Sequence, residues 1–430
     1  MRAALTPRTR PHGGLLGALE VLLVGAIFFP MAIHSVVSQY LVFPALLFAY
    51  ALVCAHRARK TVAVLVLTAY GLLVVVAFAL IWFGPTPDLL GVVSVALVLW
   101  PLSIFAFTVN TDRAASLGRL RKAWLFFAFA SVPLAVFEYL TGSRIFTPRL
   151  ITNLERAVAG TEHPIVLGMM LSAAIPLLLG LRWSVRILGV AVLLVGVFTT
   201  GSAGPMAASV ILSLVVLFAR RDRAEQRGVA FIGIGAIAVF AVLAYNALSV
   251  WTTRLSDQNM ADYNDQYRLA IYSMVPRMLS EAPFGYGLAG LPPGEYYVQS
   301  TWLGLMDVSK TLDSEFVLLV AKIGLFGVAL AAVAVFFAVR ALAYNRMIGL
   351  VFLAFLMNSF TVALHAWPGV AVATGYLFGA CAWMVINKQS PLGTDALAQR
   401  RPAWPPPFDR ATGSKGGVPQ GPLERASVER

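Results

Sequence analysis

Along most of the chain, apolar residues run on with no amphipathic period and then yield to short polar breaks. Uninterrupted apolar runs of about 18–20 residues match the length a helix needs to cross the hydrocarbon core of a bilayer. They fall at roughly 15–33, 38–55, 61–82, 89–109, 122–140, 164–181, 184–200, 204–220, 227–249, 314–338, 346–364 and 367–386. The pattern predicts an all-α polytopic membrane protein with about twelve transmembrane helices. A turn cluster of Gly84, Pro85, Pro87 and Asp88 separates the third run from the fourth. Only His365 to Gly369 separate the last two. The run at 314–338 is unlike the others. It follows Asp313, carries Glu315 at its start and holds Lys322 inside. Charges in a membrane span are costly unless paired or wetted, so this helix must face something polar.

Two of the breaks are long. The first, about 141–163, reads TGSRIFTPRLITNLERAVAGTEH, and the second covers about 250–312. Loops of this length on a compact protein usually carry structure or function of their own. Inside the second, Leu269, Tyr272, Val275 and Leu279 have helical spacing, which predicts an amphipathic helix over 264–280. Breakers follow at Pro283, Gly285 and Gly287. Arg268 and Arg277 lie nine residues apart, which at about 100° per residue puts them on opposite faces of that helix. Asp265 stands three before Arg268, and Glu281 four after Arg277, so either arginine could be a surface pair.

Composition sharpens the class. The chain has 430 residues, of which 59% are hydrophobic and 12% charged, against about 25% charged in soluble domains. Its charge is distributed by side. Arg2, Arg8, Arg10, Arg57, Arg59, Lys60, Arg113, Arg119, Arg121, Lys122, Arg182, Arg186, Arg220, Arg221, Arg223, Arg227, Arg340 and Arg346 all fall in one alternate set of short connections. The positive-inside rule makes that set cytoplasmic and leaves both termini inside. The net charge of +13 follows from this asymmetry and a basic tail, so no nucleic-acid partner is implied. The first apolar run follows a basic segment and lacks a small-x-small cleavage site, which reads as a retained signal-anchor helix. Cys54 and Cys381 lie within spans, so neither a disulfide nor a metal site is expected of them. The organisation expected is a cytoplasmic segment at 1–14, a membrane domain at 15–386, and a disordered cytoplasmic tail at 387–430 rich in Pro, Gly, Arg and Ser. No internal repeat stands out.

Polarity gathers in the two long outer loops. Both carry arginines against the charge rule: Arg144, Arg149 and Arg156 in one, Arg254, Arg268 and Arg277 in the other. The planar fork of Arg suits phosphate oxygens, so an anionic ligand is expected on this face. Asp313, Glu315 and His163 are the groups able to take a proton. Each also has a plain structural reading. Asp313 stands where a helix N-cap belongs. Glu315 and Lys322 share a helix face two turns apart, which fits a structural polar chain. His163 precedes Pro164 at a helix start. Glu138, near the outer end of its span, is either a paired structural acid or a cavity wall. Glu20, near the cytoplasmic end of the first span, needs no special role. No carboxylate cluster suits a divalent metal, so no metal or other cofactor is expected.

Four segments together resemble the O-antigen polymerase and O-antigen ligase family. They are Arg156-Ala-Val-Ala-Gly160-Thr-Glu-His163-Pro164-Ile-Val-Leu-Gly168; Thr200-Gly201-Ser202 before a new span; Arg268 followed by Pro283-Phe-Gly285-Tyr-Gly287; and Asp313-Ser314-Glu315-Phe316 with Gly324 and Gly327 downstream. The resemblance covers roughly residues 140–340. It implies a GT-C-like helical enzyme of the bacterial inner membrane that moves a glycan from undecaprenyl diphosphate to a sugar hydroxyl on the extracytoplasmic face. It also implies the lipid bilayer, a flippase and a chain-length regulator as partners. Arg156 and Arg268 would face the diphosphate, with Arg277, Glu138 and Lys322 as further substrate contacts. Asp313, Glu315 and His163 would be the catalytic candidates. Two positions depart from the family pattern: Ala203 stands where an Arg often follows the Ser, and Asp313 where ligases have His. The second departure points to a polymerase of repeat units rather than a ligase. A transporter or lipid-carrier flippase is the competing class, but it should show charges or broken helices near the midplane of several spans, and here most spans are clean.

Overall fold

The computed structural model describes residues 13–34, 39–58, 61–82, 98–146, 156–218, 267–268, 270–287, 290–300, 304–310 and 312–391. Most of these are helical. The elements are α1 (Gly13–Phe28), α2 (Pro30–His34), α3 (Gln39–Arg57), α4 (Thr61–Trp82), α5 (Trp100–Val109), α6 (Arg113–Thr141), α7 (Pro164–Ala174), α8 (Trp183–Thr199), α9 (Ala203–Phe218), α10 (Val275–Glu281), α11 (Glu315–Ile323), α12 (Leu325–Ala341), α13 (Arg346–Ser359) and α14 (Pro368–Asn387). Among the described residues, α6 and α14 are each long and apolar enough to cross a membrane alone, and eight further apolar helical segments are shorter. The expected span at 227–249, part of that at 89–109, and the tail lie outside the described residues.

One core runs through α1, α3, α5–α9 and α12–α14. Three basic side chains at helix ends tie it together by capping carbonyls. Arg121 donates to Leu177 and Leu179 oxygens at 2.9 and 2.8 Å, and Arg186 to those of Leu181 and Val216. Arg113 donates to Phe107 and Thr108 oxygens. Helix C-termini leave carbonyls unsatisfied and attract cations, so these arginines have a structural use.

Several sequence expectations need correction. The fifth span begins earlier than read, at Arg113, because its basic first turns continue the helix. The first expected span is interrupted at Phe29, ahead of Pro30. The run at 314–338 is two helices, since Gly324 takes φ 56° and ψ −129° and ends α11. The amphipathic helix expected at 264–280 is also split: residues 267–273 are helical where described, the turn at Met274 intervenes, and α10 restarts with Pro276 in its first turn. The fold is not purely helical either. Strands β1 (Tyr297–Ser300) and β2 (Gly304–Asp307) form an antiparallel hairpin with Val298 opposite Met306.

The second long loop therefore has its own core. Tyr267, Ile271, Met278, Tyr296 and Val298 pack with Val317, Leu318, Val320 and Ala321 of α11. It forms a cap seated on α11. The Pro283–Gly287 stretch fastens it by backbone bonds alone. Tyr286 and Gly287 N–H donate to Ala321 and Lys322 oxygens at 2.8 and 2.9 Å, and Leu325 N–H donates to Pro283 oxygen at 2.9 Å. The first two satisfy carbonyls that the end of α11 exposes.

Glu20 has more than the idle role expected of it. It is fully buried and bonded at 2.5 Å to Arg119 of α6. Ser116 Oγ donates to it at 2.5 Å and Tyr50 OH at 3.3 Å. Asn110 and Tyr376 extend the network through Tyr50. It joins α1, α3, α6 and α14 with the residue that follows α5.

Candidate functional site

Residues of all four sequence motifs come together at the N-terminal ends of α7, α9 and α11. The first two meet directly. Arg156 donates from Nε to the Thr200 oxygen at 2.8 Å and from Nη2 to Ser202 Oγ at 2.7 Å. Gly201, at φ 55°, leaves room for that guanidinium; an added Cβ would stand 3.4 Å from its Nε. Thr200-Gly201-Ser202 is thus a cradle for Arg156, and the charge beside Ser202 comes from Arg156 while position 203 is Ala. The chain before the cradle is held by Glu138. Its Oε2 accepts from Val158 and Ala159 N–H at 2.8 Å each, fixing a turn in which Ala159 takes φ 44° and Gly160 φ 99°. Two short hydrogen bonds to one carboxylate oxygen immobilise both amides. Glu138 thus positions Arg156 rather than presenting a free carboxylate.

His163 caps α7. Its Nδ1 accepts from Ile165 N–H at 3.2 Å, and its ring lies 5.6 Å from that of Trp367. Burial, with Arg156 adding repulsion, depresses its pKa to about 4. It is a neutral imidazole with the capping nitrogen occupied, which fits a positioning role better than that of a base. Gly168, the end of the same motif, packs against Pro205 and Thr200 and lets α7 approach α9 closely.

Arg268 brings in the third and fourth motifs. Its charge acts on Arg156, on Tyr272 and on Asp313. Arg156 is lowered by burial and by Arg268 yet remains a cation at any working pH. Tyr272, one turn after Arg268, ties the cap to α11: its OH donates to the Phe360 oxygen at 2.7 Å and lies 2.9 Å from Ser314 Oγ. Since the phenol proton goes to Phe360, Ser314 donates to Tyr272. Ser314 also takes the N-cap position of α11, accepting from Val317 N–H at 3.4 Å. The cap role open to Asp313 therefore belongs to its neighbour, and Asp313 is left at the rim. Its carboxyl is surrounded by protein but keeps a water-exposed edge. Burial holds it above the ordinary carboxylate range, and Arg268 pulls it back down.

The remaining candidates lie elsewhere. Arg277 is exposed, bonded to Glu281 at 2.7 Å and set 4.8 Å over the Tyr296 ring; no contact joins it to the Arg156–Arg268 group among the described residues. Glu315 and Lys322 are buried, and Glu315 acts on Lys322 electrostatically. Glu315 and Phe316 also reach a cavity of about 130 Å³ whose other walls, including Leu319, Phe352, Phe360 and Phe378, are almost all apolar.

One part of the site has no signal in the sequence reading. The connection from α13 to α14 supplies the Phe360 oxygen to Tyr272 and the Val362 oxygen to Glu315 N–H at 3.2 Å. Thr361 packs on Gly204, where an added Cβ would lie 2.6 Å from its hydroxyl. Backbone carbonyls make the contacts to Tyr272 and Glu315, and any residue type supplies a carbonyl. Among the described residues, no group of three or more His, Cys, Asp or Glu could hold a metal ion.

Two half-buried arginines, a rim carboxylate and an adjoining apolar cavity make up the candidate site. The family model described as O-Antigen ligase matches residues 188–332. That stretch, about a third of the chain, contains three of the four motifs. It supports the O-antigen polymerase/ligase family, and with it a glycan transfer of that type by a membrane glycosyltransferase-like protein. No curated protein matches the chain.

Proposed function

We propose that this protein polymerises undecaprenyl-diphosphate-linked oligosaccharide repeat units on the extracytoplasmic face of a bacterial inner membrane. The observation that carries the reading is the grouping of Arg156 and Arg268 with Asp313. An acceptor hydroxyl oxygen attacks the anomeric carbon of the donor glycan. The bond from that carbon to the lipid diphosphate breaks, and the diphosphate leaves with the electron pair. Asp313 takes the hydroxyl proton, and the two guanidiniums stabilise the charge that grows on the diphosphate. The cradle holds Arg156 in place before reaction, so little reorganisation accompanies charge development. The cavity beside Phe316 suits part of an isoprenoid tail. A flippase supplying the substrate and a chain-length regulator complete the expected pathway.

Ligation is the second reading, favoured by the description of the matching family. Gene deletion, with complementation by wild type, Arg268→Ala or Asp313→Ala, separates the two. Single-repeat glycans without long chains, rescued by wild type and by neither variant, are the result expected of a polymerase using both residues. Long chains that stay on the carrier lipid indicate a ligase. Unchanged surface and secreted glycans overturn both and return a transporter to consideration.

A further inference from the structure

The tip of the cap is apolar and faces outward. Phe284 is 70% exposed, and beside it stand Leu325 and Phe326 at 53% and 64%, with the two phenyl rings 6.0 Å apart. A soluble protein would bury such a group. Here Phe284 continues the outward stripe of α12, where Leu325, Phe326, Leu330, Val333 and Phe336 are all exposed. Such a stripe on an apolar membrane helix is its lipid face. The helix leading into the tip is polar at its surface: Arg277, Ser280 and Glu281 are exposed just before it. The tip is also rigid. Gly285 and Gly324 hold φ 80° and 56°, and the three backbone bonds of the Pro283–Gly287 stretch fix it to the junction of α11 and α12.

We infer that Phe284 is inserted in the bilayer at the boundary between headgroups and acyl chains, and that the Gly324 break marks this depth. The partner is lipid, on the same surface that α12 presents to it. α12 has 17 residues, about 25 Å at 1.5 Å per residue, close to the ~30 Å hydrocarbon thickness. α11, whose inner face belongs to the cap core, then lies outside the hydrocarbon. Glu315 and Lys322 are thereby spared the cost of charges in a span, and the arginine site is held at fixed height above the lipid. This rests on the membrane reading and is independent of which transfer is catalysed.

The test is depth measurement by spin label on the full chain in lipid nanodiscs. Cys54 and Cys381 are buried and unpaired, so a maleimide label goes to thiols introduced singly by Phe284→Cys, Phe326→Cys and Glu295→Cys. The expected result is an oxygen-to-nickel-chelate accessibility ratio at 284 matching that at 326 and several-fold above that at 295. A ratio at 284 matching that at 295 places the tip in water and overturns the inference. Protection from both reagents, with cross-linking between copies through position 284, also overturns it and makes the surface a self-association face.

Discussion

Asp313 and Arg268 carry the sharpest expectation at the scale of single residues. A base must be ionised, so activity should fall as pH drops through the Asp313 pKa, which burial raises and Arg268 lowers. Removing the cation by Arg268→Gln therefore moves the acid limb of kcat/KM to higher pH. Arg268→Lys keeps the charge and leaves the midpoint near its wild-type position, though with weaker activity, because an ammonium cannot grip two oxygens at once. A pH profile of repeat-unit transfer in proteoliposomes checks this; an unmoved midpoint in Arg268→Gln removes Asp313 from the role of base. Asp313 and Arg268 were legible as charges in and beside the second long loop. What the pattern left open was which residue capped α11, since Asp313 and Ser314 both suit that position and only the backbone path assigns it to Ser314.

At the scale of elements, the junction of α11 and α12 decides the shape of the site. Gly324 combines positive φ with contact to Pro283, and an added Cβ there would overlap the Pro283 carbonyl. Gly285 is closed in the same way by the Lys322 carbonyl. Gly324→Ala is expected to cost about 3 kcal/mol or more, from strain and steric overlap together. Gly118→Ala, where nothing lies within 4 Å, should be neutral or slightly stabilising. Thermal melting of the two variants in detergent is the measurement, and equal melting temperatures would refute a tight junction. Gly285 was visible in the sequence as a breaker, and Gly324 only as a motif glycine within one apolar run. The bend itself was not, because Leu, Val and Ala continue across it and the local pattern reads as one helix.

On the scale of the whole molecule, the Glu20 network joins α1, α3, α6 and α14. A buried charge left alone costs several kcal/mol, so breaking the pair should be worse than neutralising the acid. Arg119→Leu strands Glu20 and is expected to destabilise by about 3–5 kcal/mol. Glu20→Gln should cost less, as its amide still serves Tyr50 and Ser116 and Arg119 is partly exposed. Denaturant unfolding of both variants in mixed micelles tests the order; the reverse order would show that the ion pair is incidental. Single-span reasoning treated Glu20 as an acid near the end of its helix. Its partners come from residues 30, 96 and 99 positions away, a distance no local pattern encodes.

The sequence by itself determined the membrane class, most helix positions and the family resemblance. Each depends on local composition, on a span's worth of hydrophobicity or on short motifs, and these are properties of contiguous residues. The tertiary structure alone decided that Arg156 sits in the Thr200–Ser202 cradle, that Glu138 and His163 position neighbouring backbone, and that Arg277 is a surface pair. It also brought the carbonyls of Phe360 and Val362 to Tyr272 and to the start of α11. These outcomes turn on backbone groups common to every residue and on contacts between segments distant in the chain, so they exist only once the helices have packed.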